Sequence, residues 1–303
     1  MNKDIRTINY IYDSSQPGGA EKQCRLNSKK NGQELINTGN FLHAIIVIYR
    51  SLAKAHRETN HVFWLSRDQA LGAVLKKFVR NKNNKVFYNI RNQPLNLKDS
   101  ARSFLYEKIA FLIAVDGWYG NSQSALNAYS RKFKKVPDFI QTVQNIIESG
   151  EQSWRYKPNE KIQLIFVGHP NLIKGFDRFV EFVETIGVEN VSGIYIFGFA
   201  ESAASNYQRQ ILNKFKLNFF GRDDDWCKKK YTNAILVNAS RSEGYPSAPL
   251  EALSFGIPVL IPDFIEYASE LDQHYSYDDL SKITLKRIND IFTYHNGHVE
   301  WRK

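Results

Sequence analysis

The sequence predicts an α/β protein built as two doubly wound domains, and three observations carry that reading. Short runs rich in Val, Ile, Phe and Tyr alternate with amphipathic segments, the pattern of helices packed on a parallel sheet. The alternation pauses over the polar segment 149–161 and then restarts. Finally, 303 residues suffice for two domains of ordinary size. Domains are therefore expected at 1–150 and 151–303, the last residues crossing back to the first domain.

In the first half, TINYIYD (7–13), HVFWLS (61–66), KVFYNI (85–90) and GWYGNS (117–122) read as strands or strand ends. Between them, 40–58 and 100–115 have the apolar spacing of helices. The second of these is either core-facing or suited to a membrane surface, and the core-facing reading is favoured. The segment SGEQSWRYKPNEK (149–161) has a proline and no periodicity, hence reads as a linker. Then follow strand 162–168, helix 175–187, strand 193–198, helix 204–215, strand 217–221 and a short helix 225–233. Strand 234–240, helix 249–256 and strand 258–263 complete the pattern.

No run approaches the ~20 apolar residues that span a bilayer, and the N-terminus lacks the apolar stretch of a signal peptide. Two distant cysteines, Cys24 and Cys227, exclude a disulfide framework or a cysteine metal cluster. The chain reads as cytoplasmic. Charge is unevenly divided: residues 1–150 hold 23 Lys and Arg against 11 Asp and Glu, a net of +12, whereas the remainder is at −2. A basic half suits an anionic partner, a lipid headgroup or an acidic glycan, or is simply a set of solvated helix faces. Nucleic acid is disfavoured because no aromatic-basic motif of known type accompanies the charge.

The segment SRSEGYPSAPLEALSFGIPVLIPD (240–263) concentrates the chemistry. Ligands of open α/β sheets bind outside the carboxyl ends of strands, and this loop leaves strand 234–240 and enters a helix. The helix start offers free N–H groups and positive dipole to an anion. Gly244 lets backbone approach a ligand, Ser247 suits a cap and Pro249 the first turn. Glu243 at the strand end and Glu251 in the first turn can both accept from ligand hydroxyls. Two carboxylates beside an anion-binding helix start suit a polyol joined to a phosphate, as in a nucleotide sugar.

SEGYPSAPLEALSFGIPVL resembles the E-x7-E segment of retaining glycosyltransferases of family 4, with Glu243 and Glu251 at its two glutamates. FVGHPNLIKGFDRFVEFVE (166–184) is similar to that family's VGR-x4-KGFD segment, and LNFFGRDDDWCKKKYTNAILVNAS to its stretch before the E-x7-E loop. QPGGAEKQCRL (16–26) resembles its N-terminal GGaE loop, and VQNIIES (143–149) its PNGvD strand exit. The match is strong over 162–265 and patchy over 1–150.

The resemblance implies a GT-B fold, two Rossmann-like domains facing a cleft, here with a shortened N-terminal domain because 27–60 lacks a usual strand and helix. It implies that Glu251 holds the donor ribose, Glu243 the sugar hydroxyls, and Lys174 the diphosphate, joined by Gly244 and Tyr245 amides. Gly18 and Gly19 would let the N-terminal loop approach the phosphates. His169 stands where the family has arginine, and Arg91 occupies the position of a sugar-side histidine as an acceptor contact. The donor is expected to be UDP-linked and the acceptor a glycan or lipid-phosphate-linked chain of surface polysaccharide or glycoconjugate synthesis. Catalysis would need no cofactor or metal, with peripheral contact at the inner face of the membrane. RDDDW (222–226) tempts a metal reading but reads better as capping carboxylates; His43, His56 and His61 lack ligand-like spacing. The alternative is a non-catalytic GT-B-like partner subunit of a glycosyltransferase complex.

Overall fold

Two six-stranded parallel sheets organise the chain, one on each side of a division between Ile146 and Ile147. The computed structural model describes residues 5–12, 19–79, 81–91, 93–94, 101–134 and 136–298.

The N-terminal unit runs β1 (Arg6–Ile11), α1 (Gly19–Lys30), β2 (Glu34–Asn37), α2 (Phe41–Ala53), β3 (Thr59–Phe63), α3 (Ser66–Phe78) and β4 (Asn84–Ile90). It continues with α4 (Ala101–Phe111), β5 (Gly117–Gly120), α5 (Gln123–Lys132) and β6 (Phe139–Thr142). Strand order is β2-β1-β3-β4-β5-β6, so the order reverses beside β1, which gives the doubly wound topology. Segment 27–60 holds one short strand and one crossover helix, leaving β2 as the sheet edge. The core stacks Tyr10 on Phe63 at 4.5 Å and sets Phe111 against Tyr88, Trp118 and Phe133. Helix α4 is core-facing through Ala110 and Phe111, although Leu105 remains exposed, as does Leu112 in the turn that follows it.

The C-terminal unit runs β7 (Trp154–Arg155), β8 (Ile162–Val167), α6 (Phe176–Ile186), β9 (Val191–Phe197), α7 (Asn206–Leu212), β10 (Leu217–Phe219) and β11 (Tyr231–Thr232). Then come β12 (Ala234–Val237), α8 (Ser247–Ser254), β13 (Val259–Pro262), β14 (Ser276–Tyr277) and α9 (Leu285–Gly297). The main sheet is ordered β10-β9-β8-β12-β13-β14. Helix α6 shows why the pattern was readable. Phe176, Phe179, Val180, Phe182, Val183 and Ile186 recur at helical spacing and all are buried, each contributing about 1.5–3 kcal/mol of burial free energy.

Three expectations need correction. The segment read as a linker contributes β7, which pairs with β11 and buries Trp154 against Phe292 and His295. A single large aromatic anchors it, a signal that periodicity cannot register. The helix expected at 225–233 is one 3₁₀ turn, Trp226–Lys228, because Tyr231 must extend to pair with Trp154. Helix α8 begins at Ser247, two residues early, so Pro246 occupies the cap position and Glu251 falls in the second turn. Helix α9 packs Ile288, Ile291 and Phe292 into the C-terminal core, and the chain after residue 298 lies outside the described residues.

Beneath α2 lies a buried polar group centred on His61. Its Nδ1 is 2.8 Å from Tyr10 Oη and its Nε2 2.9 Å from Asn84 Oδ1, while Asn84 Nδ2 donates to Leu52 O at 2.7 Å. Burial holds the imidazole pKa down at about 4. The unfolded chain, at about 6.5, therefore takes up this proton first, so stability present above pH 6.5 is lost as pH falls toward 4. At pH 5 the wild type is expected to have lost about 2 kcal/mol more than a His61→Gln variant, relative to pH 7. Urea unfolding of both at the two pH values checks this; parallel losses would mean that His61 is not held neutral.

Candidate functional site

Strands β8 and β12 are adjacent, and the loops leaving their carboxyl ends carry the residues singled out above. The β8 loop closes on glycines. Gly168 takes φ +157°, and a Cβ on neighbouring Gly198 would meet Gly168 O at 2.4 Å. After His169, Asn171 Oδ1 accepts from Lys174 N at 2.8 Å, and Gly175 caps α6 with φ +66°. A Cβ there would sit 1.9 Å from Ala239 O, so the loop runs directly against the end of β12.

From the β12 side, Glu243 turns inward and is only 9% exposed. Its Oε1 accepts from Lys174 Nζ at 2.6 Å and from Ser240 Oγ at 2.7 Å. A buried carboxylate needs such partners, and here both come from the two loops themselves. An ammonium has three donors. Glu243 takes one, and the Lys174 side chain is one-third exposed, so its remaining donors can serve a ligand.

Further ties lock the two loops together. Arg241 donates to both carboxylate oxygens of Asp177 at 2.7 and 2.6 Å and to Leu172 O at 2.9 Å, while its backbone N–H donates to Ile173 O at 2.8 Å. The Arg241 guanidinium holds the Asp177 carboxyl below its usual range. Arg178 reaches the carbonyls of Ala239 and Ser240. Ser240, Arg241, Asp177 and Arg178 were not singled out from the sequence, although the stretches quoted for the resemblance contain Ser240, Asp177 and Arg178.

Gly244 is buried and Tyr245 half-buried, its ring 4.7 Å from that of Tyr267, whose hydroxyl donates to Pro246 O at 2.9 Å. This pins the entry to α8. No side chain caps that helix, and Ser247 is its first residue rather than its cap. Pro246 takes the cap conformation, and the first-turn N–H groups stay available to an anion. Glu251 lies on the same helix and is 5% exposed.

The remaining expected residues belong to the N-terminal unit. Gly18 lies outside the described residues, and Gly19 opens α1. Arg91 follows β4 and is half-buried. Its guanidinium lies 5.3 Å from the Trp64 ring and donates to Asn145, and burial lowers its pKa to about 10. Beside it, Gln23 and Ile146 exchange two hydrogen bonds of 2.9 and 2.8 Å. In RDDDW, Asp223, Asp224 and Asp225 pair with Lys229, Arg222 and Lys228. Among the described residues no group of three His, Cys, Asp or Glu is placed to hold a metal ion.

The site falls within a region of known kind. Residues 149–277 match the family model described as glycosyl transferases group 1. No curated protein matches the sequence. Among solved structures, TarM of S. aureus, a mutant in complex with fondaparinux, alpha-GlcNAc-glycerol and UDP, is similar at 16% identity and TM-score 0.58. That match covers 83% of this chain and 52% of TarM, so this chain spans about half its length. Anabaena Alr3699/HepE in complex with UDP-glucose is similar over 97% of this chain and 90% of its own, at 11% identity and TM-score 0.65. Sucrose-phosphate synthase from Thermosynechococcus elongatus is similar over 98% and 91%, at 12% identity and TM-score 0.64. These likenesses establish the GT-B fold, a pair of Rossmann-like units.

Proposed function

We propose that the protein is a retaining glycosyltransferase of family 4, carrying the E-x7-E motif at Glu243 and Glu251, that moves a hexosyl or related sugar from a UDP-linked donor. The observation that carries this reading is the Lys174–Glu243–Ser240 group beside the uncapped start of α8. The group lies inside the stretch that matches glycosyl transferases group 1. Departure of a nucleoside diphosphate builds negative charge on its phosphates. Lys174 and the first-turn N–H groups of α8 stabilise that charge with preorganised donors and without a metal. Glu243 receives the sugar hydroxyls and Glu251 the ribose hydroxyls, while His169, Gly244, Tyr245 and Ser247 line the donor. The sugar bond to the diphosphate breaks as the acceptor oxygen attacks from the same face. UDP is favoured because the TarM and HepE structures hold UDP or UDP-glucose.

The acceptor is a glycan or lipid-phosphate-linked chain of surface polysaccharide or glycoconjugate synthesis, met by the basic N-terminal unit in which Arg91 sits. The protein works in the cytoplasm at the inner face of the membrane. His169, in place of the family's arginine, favours one second reading, a non-catalytic partner subunit of a glycosyltransferase complex. Calorimetric titration with UDP, GDP and ADP decides between them. UDP binding weakened at least tenfold by Glu251→Ala is expected, from loss of charge-assisted hydrogen bonds to the ribose. A folded sample that binds none of the three nucleotides sinks the enzyme reading and favours the partner subunit.

A further inference from the structure

Helix α2 is apolar on two faces. One face buries Ala44, Ile48 and Leu52. The other presents Leu42 at 72% exposure, with Ile46 and Tyr49 both near half. These three recur at helical spacing and form one stripe. At the end of α3, Phe78 is 75% exposed, and it shares an open groove of about 520 Å³ with Tyr49, Ala53, Val79 and Lys82. Single exposed apolar residues are ordinary. Four large ones on neighbouring elements, two of them around one groove, mark an interaction surface.

Its rim is cationic. Arg50, Lys54, Lys77 and Lys82 are exposed, and among the described residues none of the four forms an ion pair. No Asp or Glu occurs from 41 to 57 or from 69 to 98. A partner must therefore supply anions at the rim and apolar matter within it. A bilayer supplies both, headgroup phosphates outside and acyl chains beneath, with lysine stems lying along the apolar stripe.

We propose that α2 and the C-terminal end of α3 form the docking surface for an anionic lipid bilayer. This rests on the reading of an enzyme at the membrane's inner face and gives it a place on the molecule. The full chain is expected to sediment with phosphatidylcholine vesicles that contain phosphatidylglycerol and not with pure phosphatidylcholine, and salt should release it. Each rim charge removed, as in Lys54→Gln or Lys82→Gln, should weaken partitioning roughly fivefold. Leu42→Ser with Phe78→Ser should weaken it on the order of tenfold or more. Leu112→Ser, in the turn just after α4 and 65% exposed but outside this surface, should leave it unchanged.

All these positions are exposed, so thermal unfolding should be unaltered and binding is read on folded protein. Absence of binding to the anionic vesicles overturns the proposal, as does binding that the α2 and α3 variants do not weaken. So does a result in which those variants abolish self-association or an acidic protein's binding but spare vesicle binding. UDP titration of the same preparations keeps the two readings apart: vesicle binding without nucleotide binding removes the enzyme reading, and the converse removes this surface.

Discussion

Lys174→Ala is expected to lower kcat/KM for sugar transfer by about 10²- to 10³-fold, the usual effect of removing one preorganised charge-stabilising donor. The loss should fall on kcat as well as on donor binding, because diphosphate charge is greatest as the bond breaks. Folding should be only mildly affected, since Glu243 keeps Ser240 as a donor at 2.7 Å. Lys174→Arg should rescue poorly: a planar fork does not replace a compact ammonium within 2.6 Å of one carboxylate oxygen. Steady-state kinetics with saturating donor checks this. A Lys174→Ala enzyme with unaltered kcat and raised KM alone would show that the lysine binds donor uniformly and takes no part in the chemical step.

Gly175→Ala is expected to be the most destabilising single substitution at the site, by about 3 kcal/mol or more. Two causes add. The left-handed backbone at φ +66° costs an L-residue about 1–2 kcal/mol, and the new Cβ would lie 1.9 Å from Ala239 O. Backbone cannot yield as a flexible side chain can, so the β8 loop must separate from the end of β12 and draw Lys174 away from Glu243. Gly32→Ala is the internal control. It has φ +60° and nothing within 4 Å of the added carbon, so only the conformational cost of about 1–2 kcal/mol applies. Equal shifts of the urea midpoint in the two variants would refute the role given to the Ala239 contact.

These two positions also indicate what the sequence alone made legible. Lys174, Gly175, Glu243 and Glu251 stand in contiguous motifs, and the strands around them are continuous apolar runs, the mark of strands buried on both faces. Strand β2, ELIN, was missed because it is four residues long, at the sheet edge and only half-buried. Strand β6, FIQT, escaped for the same reason, being exposed throughout. Helix α3 went unread as well; it opens SRDQ and buries Asp68 and Gln69, polar residues that break the apolar stripe. The ties between loops were hidden for a different cause. Lys174 and Glu243 are 69 residues apart and Arg241 and Asp177 64 apart. Only the adjacency of β8 and β12 brings them together.

The segment that carries β7 bears on how such chains can be cut and recombined. Glu148 O accepts from Ser254 Oγ at 2.8 Å, Ser153 N donates to Phe255 O at 2.9 Å, and Gly150 lies so close to the Phe255 ring that a Cβ there would come within 2.3 Å. The ten residues after Ile146 are thus a strap fastened over the C-terminal core. A chimaera joined at residue 161 would discard Trp154 and strip the cover from Phe292 and His295. A junction at Ile146 keeps the strap whole, so N-terminal halves should be exchangeable at that point and nowhere in the following fifteen or so residues.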